Sequence, residues 1–144
     1  TGTLSTLLAA EGQHLVHGVD FSPEMVRRAR KKAAQVIPRP VFSVADASEP
    51  PLPVASFDAV LCRHVLWAMP DPSAALQRWI QLLTPGGVLV LIEGLWSNGV
   101  GLTASACTQL VGDLRADVQL QMLDDDAYWG GQTDDERYLI LSAS

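Results

Sequence analysis

The order of apolar and polar positions along the chain predicts an alternation of helices and strands. Short, nearly continuous apolar runs are typical of buried strands, whereas apolar residues that recur every three to four positions indicate helices with one buried face. The run at residues 57–62 is the pattern of a strand covered on both faces. Helices are predicted over residues 3–10, 23–35, 71–83 and 103–111, and strands over residues 15–19, 41–44, 57–62, 88–92, 118–123 and 138–141.

Two of the helices have strong start signals. Ser22 can cap the second helix, Pro23 suits its first position, and Glu24 complements the positive end of the helix dipole. Asp71 and Pro72 begin the third helix in a similar way. Because strands and helices alternate, we expect right-handed crossovers that build a parallel sheet.

The last two strands break this alternation, since no full helix separates them. Consecutive strands without a helical crossover usually pair antiparallel. The predicted fold class is therefore α/β, a Rossmann-like doubly wound, mostly parallel sheet with an antiparallel C-terminal hairpin. A chain of 144 residues, 48% of them hydrophobic, suits one domain over residues 1–144.

The chain opens on a turn and a helix, with no strand before them. In a doubly wound sheet the first strand lies at the centre, next to the reversal of strand order. Without that strand, two apolar strands would lose a shared partner and expose backbone groups that need hydrogen bonds. We therefore expect the natural protein to begin earlier, with the central first strand before Thr1.

The charge balance argues against binding to nucleic acid. The formal net charge is −6, and the basic run at residues 27–32 is interpreted as a solvated helix flank rather than a nucleic-acid patch. No apolar run approaches the length that a membrane-spanning helix needs, and no signal peptide is visible. Cys62 and Cys107 are interpreted as two separate buried thiols of a cytoplasmic protein, and a single disulfide between them is the alternative. The sequence leaves the oligomeric state open and indicates no metal site.

Asp20 follows the first predicted strand and lies at a characteristic spacing from Gly2. Thr1-Gly2-Thr3 precedes the first helix, whose amino end offers backbone amides to a ligand. Asp20 lies 18 positions after Gly2 (20 − 2), at the end of the next strand. A carboxylate that binds ribose hydroxyls is expected about 20 residues past a glycine loop. The alternative is that Asp20 only stabilises a turn or caps a helix.

A second carboxylate ends the next strand. Asp46 is expected at the same sheet edge, where it could reach an adenine amino group, and Ala47 could offer a backbone amide. An ordinary turn aspartate is the alternative interpretation. The pair of Asp20 and Asp46 favours an adenosine-type cofactor.

The ordered motifs resemble those of class I S-adenosylmethionine-dependent methyltransferases. Segment 1–5 is similar to the end of that family's Gly-x-Gly-x-Gly motif, and segment 18–25 to its second-strand motif, with the first glycines of the loop absent. Phe57-Asp58-Ala59-Val60 and the segment 83–89 resemble the fourth- and fifth-strand motifs. The resemblance implies S-adenosylmethionine as cofactor, bound by the residues Thr1, Gly2, Asp20, Phe21, Met25, Asp46, Ala47 and Arg63.

The same resemblance implies methyl transfer to a nucleophile, with a small molecule as the default acceptor. Arg63 could bind the cofactor's methionine carboxylate or form a surface ion pair. His64 is the best candidate for a catalytic base because histidine titrates near neutrality, although a structural role is also open. Trp67 and Trp96 follow the fourth- and fifth-strand motifs and could form walls of the acceptor pocket.

Two other functions remain open from the sequence. An NAD(P)-dependent oxidoreductase of Rossmann type uses the same glycine loop and ribose carboxylate. The absence of a Tyr-x-x-x-Lys proton relay and the late antiparallel strands argue against it. A non-catalytic, truncated fragment is the second alternative.

Overall fold

The computed structural model describes residues 2–12, 14–128, 130–131 and 134–143. The chain divides into two compact units, an N-terminal unit of Thr1–Pro51 and a C-terminal unit of Leu52–Ser144. The expectation of a single domain over residues 1–144 stays a prediction. None of the described helices is both long and apolar enough to cross a membrane.

The N-terminal unit consists of two helices and a parallel pair of strands. Residues 17–20 of one strand pair in register with residues 41–44 of the other. Val26, Ala29 and Ala33 pack against Phe42 in a small apolar core. In chain order the elements are α1 (Thr3–Gly12), β1 (His17–Asp20), α2 (Pro23–Lys32) and β2 (Val41–Val44).

The predicted start of α2 is confirmed. The Ser22 hydroxyl accepts a hydrogen bond from the Met25 amide at 3.3 Å, and Pro23 occupies the first position. The helix ends at Lys32, three residues before the predicted end, and a turn follows. Arg27 on its basic flank forms an exposed ion pair with Glu24, and that flank is solvated as the sequence indicated.

Gly18 in β1 permits close packing beside the apolar core. A Cβ atom at this position would lie 2.7 Å from Cδ1 of Phe42 and 3.3 Å from the hydroxyl of Ser5. Distances below 3 Å require a displacement of the neighbour, so a side chain larger than hydrogen does not fit there without rearrangement.

The C-terminal unit contains a four-stranded mixed sheet. The strand order is β3-β4-β6-β5, in which β3 and β4 are parallel and β6 is antiparallel to both of its neighbours. The antiparallel pairing of the last two strands is therefore confirmed. The elements are β3 (Phe57–Arg63), α3 (Pro72–Leu82), β4 (Leu83–Leu95), α4 (Ala104–Gly112), β5 (Gln119–Met122) and β6 (Glu136–Ser142).

The core of this unit lies around the central strands β4 and β6. Leu89 and Leu91 of β4 and Ile140 of β6 are fully buried, and Trp79 of α3 packs in the same cluster, as its position on the apolar stripe predicted. The free thiols of Cys62 and Cys107 are both buried, as expected.

The expectation that β3 is covered on both faces is wrong for this unit. Cys62 is the single buried residue of β3, and Leu61 is 39% exposed. Within the described residues β3 pairs with β4 alone, so it lies at the edge of this sheet. An apolar run reports the composition of a strand and not the neighbours that surround it.

Strand β4 starts earlier than predicted and includes the expected turn residues. The register with β3 passes from Phe57↔Leu83 to Ala59↔Val88, so residues 84–87 form an irregularity in the strand. Gly86 has a φ of +80°, a conformation that favours glycine. Gly86 and Gly87, which were predicted to form the turn after α3, therefore lie in a bulge of β4.

Candidate functional site

The carboxyl ends of β1 and β2 bring Asp20 and Asp46 to one edge of the N-terminal unit. Asp20 is paired with Val44, two residues before Asp46, in the parallel register. The backbone carbonyl of Asp20 also accepts a hydrogen bond from the Ala45 amide at 3.1 Å. The parallel pairing thus places both predicted carboxylates at the carboxyl ends of neighbouring strands.

One oxygen of the Asp20 carboxylate is engaged by its own turn. Oδ1 accepts a hydrogen bond from the Ser22 amide at 2.9 Å, while the side chain of Ser22 caps α2. Within the described residues no side chain or amide donates to Oδ2. Asp20 is half-buried, and its carboxylate is held in one orientation with an acceptor oxygen to spare. The turn role and the ligand role are therefore compatible.

The Asp46 carboxylate is organised in a similar turn. Its Oδ1 accepts from the Ser48 amide at 2.8 Å and from the Ser48 hydroxyl at 2.7 Å. These two hydrogen bonds, led by that of the hydroxyl, hold the pKa of Asp46 below its ordinary value. Asp46 is exposed and ionised at neutral pH, so it presents acceptor atoms at this edge.

Other predicted cofactor residues lie along the same edge. Phe21 directly follows β1, and its side chain is 82% exposed. Met25 is half-buried in the first turn of α2, and Ala47 is half-buried between Asp46 and Ser48.

Gly2 lies beside the small apolar core of the N-terminal unit. Gly2 has a φ of +68°, and a Cβ there would lie 2.6 Å from Cβ of Ala29 and 3.1 Å from the ring of Phe42. Phe42 pairs with Gly18, two residues before Asp20. Gly2 thus packs over the apolar core, and its role in cofactor binding stays a prediction. Thr1 lies outside the described residues.

In the C-terminal unit, the segment after β3 carries the predicted base. His64 has a φ of +56°, in the left-handed region that side chains other than glycine rarely adopt. Its amide donates to the Ile92 carbonyl at 2.9 Å and continues the ladder with β4. The pKa of His64 lies below its ordinary value of 6.5. Burial is the main cause, and the positive charges of Arg63 and Arg137 add to it.

Three aromatic rings meet at this segment. The centroids of His64 and Trp96 are 5.2 Å apart, and those of Trp67 and Trp96 are 5.9 Å apart, both with edge-to-face geometry. The indole Nε1 of Trp67 donates to the His64 carbonyl at 3.2 Å, and Trp67 is 39% exposed. The structure therefore assembles the predicted acceptor walls and the predicted base in one place.

Arg63 is the last residue of β3, and its side chain is exposed. In the described part of the chain no carboxylate pairs with it, so the alternative of a surface ion pair is not observed. Its binding of a methionine carboxylate stays a prediction.

Glu93 is a residue of this region that the sequence interpretation missed. It lies in β4, is fully buried, and its Oε1 accepts hydrogen bonds from the amides of Val65 at 2.9 Å and Leu66 at 2.8 Å. A single acidic residue after the apolar run 88–92 was a visible signal. Over the residues with described positions, no group of three His, Cys, Asp or Glu side chains could hold a metal ion.

The comparisons with known proteins agree with the sequence motifs. A family model described as "Methyltransferase domain" matches residues 1–91. The chain is 40% identical over 102 residues to the 27-O-demethylrifamycin SV methyltransferase of Amycolatopsis mediterranei, a match over 69% of this chain and 38% of that protein. It spans about two fifths or less of the curated relatives it matches.

Solved structures confirm the predicted Rossmann-like fold class. The N-methyltransferase NodS of Bradyrhizobium japonicum, in complex with S-adenosylhomocysteine, is similar with a TM-score of 0.79 and 18% identity, over 99% of this chain and 72% of that chain. The [4+2]-cyclase SpnF is similar with a TM-score of 0.80 and 19% identity, over 99% of this chain and 71% of its own. At this level of identity the likeness concerns the fold.

Proposed function

Because the chain belongs to the methyltransferase-domain family, the class I S-adenosylmethionine-dependent methyltransferases, we propose that it binds S-adenosylmethionine and transfers the methyl group to a small-molecule acceptor. The observation that carries this proposal is the pair of carboxylates, Asp20 and Asp46, at one strand edge within the matched segment.

The geometry of the N-terminal unit fits the adenosine half of the cofactor. The Asp20 carboxylate is oriented by the Ser22 amide and has a second oxygen available for ribose hydroxyls. Phe21 offers an exposed aromatic surface to the flat adenine ring, and Asp46 offers an ionised carboxylate to its amino group. A ribose, an adenine face and an adenine edge thus each have a matching group.

The C-terminal unit fits the acceptor. Trp67 and Trp96 supply aromatic surface, which suits a small organic molecule with apolar or aromatic character. His64 can receive a proton from an acceptor hydroxyl, because its lowered pKa leaves the imidazole neutral at pH 7. These roles for His64, Trp67 and Trp96 are part of the proposal.

Bound S-adenosylmethionine supplies an electrophilic methyl group on a sulfonium. Displacement at that carbon needs the acceptor atom in line with the methyl–sulfur bond, so alignment matters more than acid–base chemistry. In this proposal the indoles of Trp67 and Trp96 orient the acceptor, and His64 takes up the proton of an oxygen acceptor.

The rival functions differ in their support. Family membership argues against the NAD(P)-dependent oxidoreductase, which shares the ribose carboxylate but not the matched family. A fold does not determine a reaction, and the similar fold of a [4+2]-cyclase, itself an enzyme, gives no support to the non-catalytic alternative. Cytoplasmic location and the lack of a nucleic-acid partner stay predictions.

Calorimetric titration of the protein with S-adenosylhomocysteine and with NAD distinguishes the methyltransferase, the oxidoreductase and the non-catalytic alternative. We expect saturable binding of S-adenosylhomocysteine and none of NAD; binding of NAD alone would sink the methyltransferase proposal, and binding of neither would favour a non-catalytic chain. Transfer of labelled methyl from S-adenosylmethionine to a panel of phenols and quinols then tests the acceptor. Binding without transfer to any of them would contradict the proposed acceptor chemistry.

A further inference from the structure

The backbone after β3 has an unusual shape. His64 is left-handed, with a φ of +56°, and Val65 has a φ of −127° and a ψ of −33°. Successive residues of this alternating kind point their amides to the same side and form a concave site for an anionic oxygen. The amides of Val65 and Leu66 converge in this way.

Glu93 fills this concave site from the neighbouring strand. Besides the two amides, its Oε1 is within 3.4 Å of the Cys62 thiol, which donates to it. The register pairs Arg63 with Ile92, so Glu93 is the next residue of β4 alongside His64. One carboxylate oxygen therefore binds donors on both sides of His64, from Cys62 before it and from Val65 and Leu66 after it.

The position of Glu93 is costly, which argues that it has a purpose beyond the core. The side chain is fully buried, and Oε2 has no hydrogen-bond partner among the described residues. Burial raises the pKa of Glu93 above its ordinary value, although the three donors to Oε1 act in the opposite direction. An apolar side chain of similar volume would avoid this desolvation cost.

We propose that Glu93 is a positioning residue that holds the segment 64–67 in the shape from which His64 and Trp67 reach the acceptor. The inference rests on the proposed function, because that function gives the two side chains their roles. The backbone conformation of His64 is strained, and such strain persists only where surrounding contacts impose it. Glu93 provides those contacts on the two following amides, and the Trp67 indole closes the segment onto the His64 carbonyl.

The first experiment compares Glu93→Gln with Glu93→Leu. The Gln amide oxygen can accept the same two backbone hydrogen bonds without a charge, whereas Leu can accept none. In NMR spectra of the imidazole protons, we expect the Gln variant to keep the chemical shifts and titration midpoint of His64. The Leu variant should lose the ring-current shift caused by Trp96, and its His64 midpoint should rise towards the value of an exposed histidine.

Tyr138→Phe is the matched control. The Tyr138 side chain is also fully buried, and Tyr138 is the cross-strand partner of Glu93, so it shares the surroundings of Glu93. Its hydroxyl lies within hydrogen-bonding distance of the carbonyls of Leu102 and Thr103 and not of the amides of Val65 and Leu66. Its loss should lower stability while the His64 resonances stay unchanged. If Glu93→Leu likewise destabilises the protein but leaves the His64 resonances in place, Glu93 is only structural and the proposal is overturned.

A second measurement does not depend on whether Glu93→Leu folds. In the wild-type protein, the amides of Val65 and Leu66 should exchange with deuterium about tenfold more slowly than the amide of Asn98, which lies in an exposed turn. Equal exchange rates would overturn the proposal. Binding of S-adenosylhomocysteine, measured separately, shows whether the proposed function fails while the positioning role holds.

Discussion

Replacing Asp20 with asparagine separates its role in the turn from its proposed role in binding. Asparagine keeps an oxygen that can accept from the Ser22 amide, the bond that is 2.9 Å long in the structure. The second position becomes an NH₂ group, which cannot accept a hydrogen bond from a ribose hydroxyl. The substitution therefore removes the proposed ligand function while the turn remains.

The magnitude follows from the hydrogen bond that is lost. Hydrogen bonds to a charged group contribute about 1.5–3 kcal/mol, which corresponds to a loss of roughly 10- to 150-fold in affinity for S-adenosylhomocysteine. The Kd is measured by calorimetric titration, and urea unfolding checks that the free energy of unfolding changes little.

Asp125→Asn is the matched control. Oδ1 of Asp125 accepts from the Ala127 amide at 2.8 Å, the same two-residue turn as at Asp20, and Asp125 belongs to the C-terminal unit. The charge change is the same, so a general electrostatic effect would weaken binding equally in both variants. An Asp20→Asn protein with wild-type affinity would refute the assignment of Asp20 to the ribose.

Three further outcomes are expected. Gly18→Ala should lower the free energy of unfolding in urea by about 1–3 kcal/mol, because the new Cβ would overlap the buried ring of Phe42. In the control Gly112→Ala the new Cβ has no atom within 4 Å, so the free energy of unfolding should not fall. Arg115→Met should lower the free energy of unfolding by about 1–3 kcal/mol for each acceptor left unpaired, since the buried guanidinium donates to the Ser142 hydroxyl at 2.8 Å. An unchanged urea midpoint would contradict this prediction. The imidazole of His64 should titrate by NMR with a midpoint below 6.5, so that it loses its charge before neutral pH is reached, and a midpoint above 6.5 would exclude the burial effect.

The elements predicted well are those specified by short-range chemistry. Ser22 caps α2 and Asp71 caps α3, as their positions predicted. Each side chain accepts a hydrogen bond from the amide three residues later. The helix α4 is capped by Thr103 in the same manner. These signals lie within one turn of the residue they affect, so no knowledge of the rest of the chain is needed to recognise them.

The features that were missed depend on residues far apart in the chain. The exposed face of β3 follows from the strands around it, and the bulge in β4 follows from its register with Phe57. Gly2 packs on Ala29 and Phe42, and these are contacts that a local motif does not specify. Pairings of this kind are a property of the folded chain.

Carboxylates illustrate the same division at the site itself. The proposal that Asp20 binds ribose came from its position after a strand, because such sheets bind ligands at the carboxyl ends of their strands. Glu93 has the opposite environment: it is fully buried and bonded to amides 27 and 28 residues away. The acidic residue alone was visible in the apolar run, but its partners exist only once β3 and β4 are paired. A buried carboxylate with distant amide partners is therefore better explained by the backbone that it shapes than by a ligand that it touches.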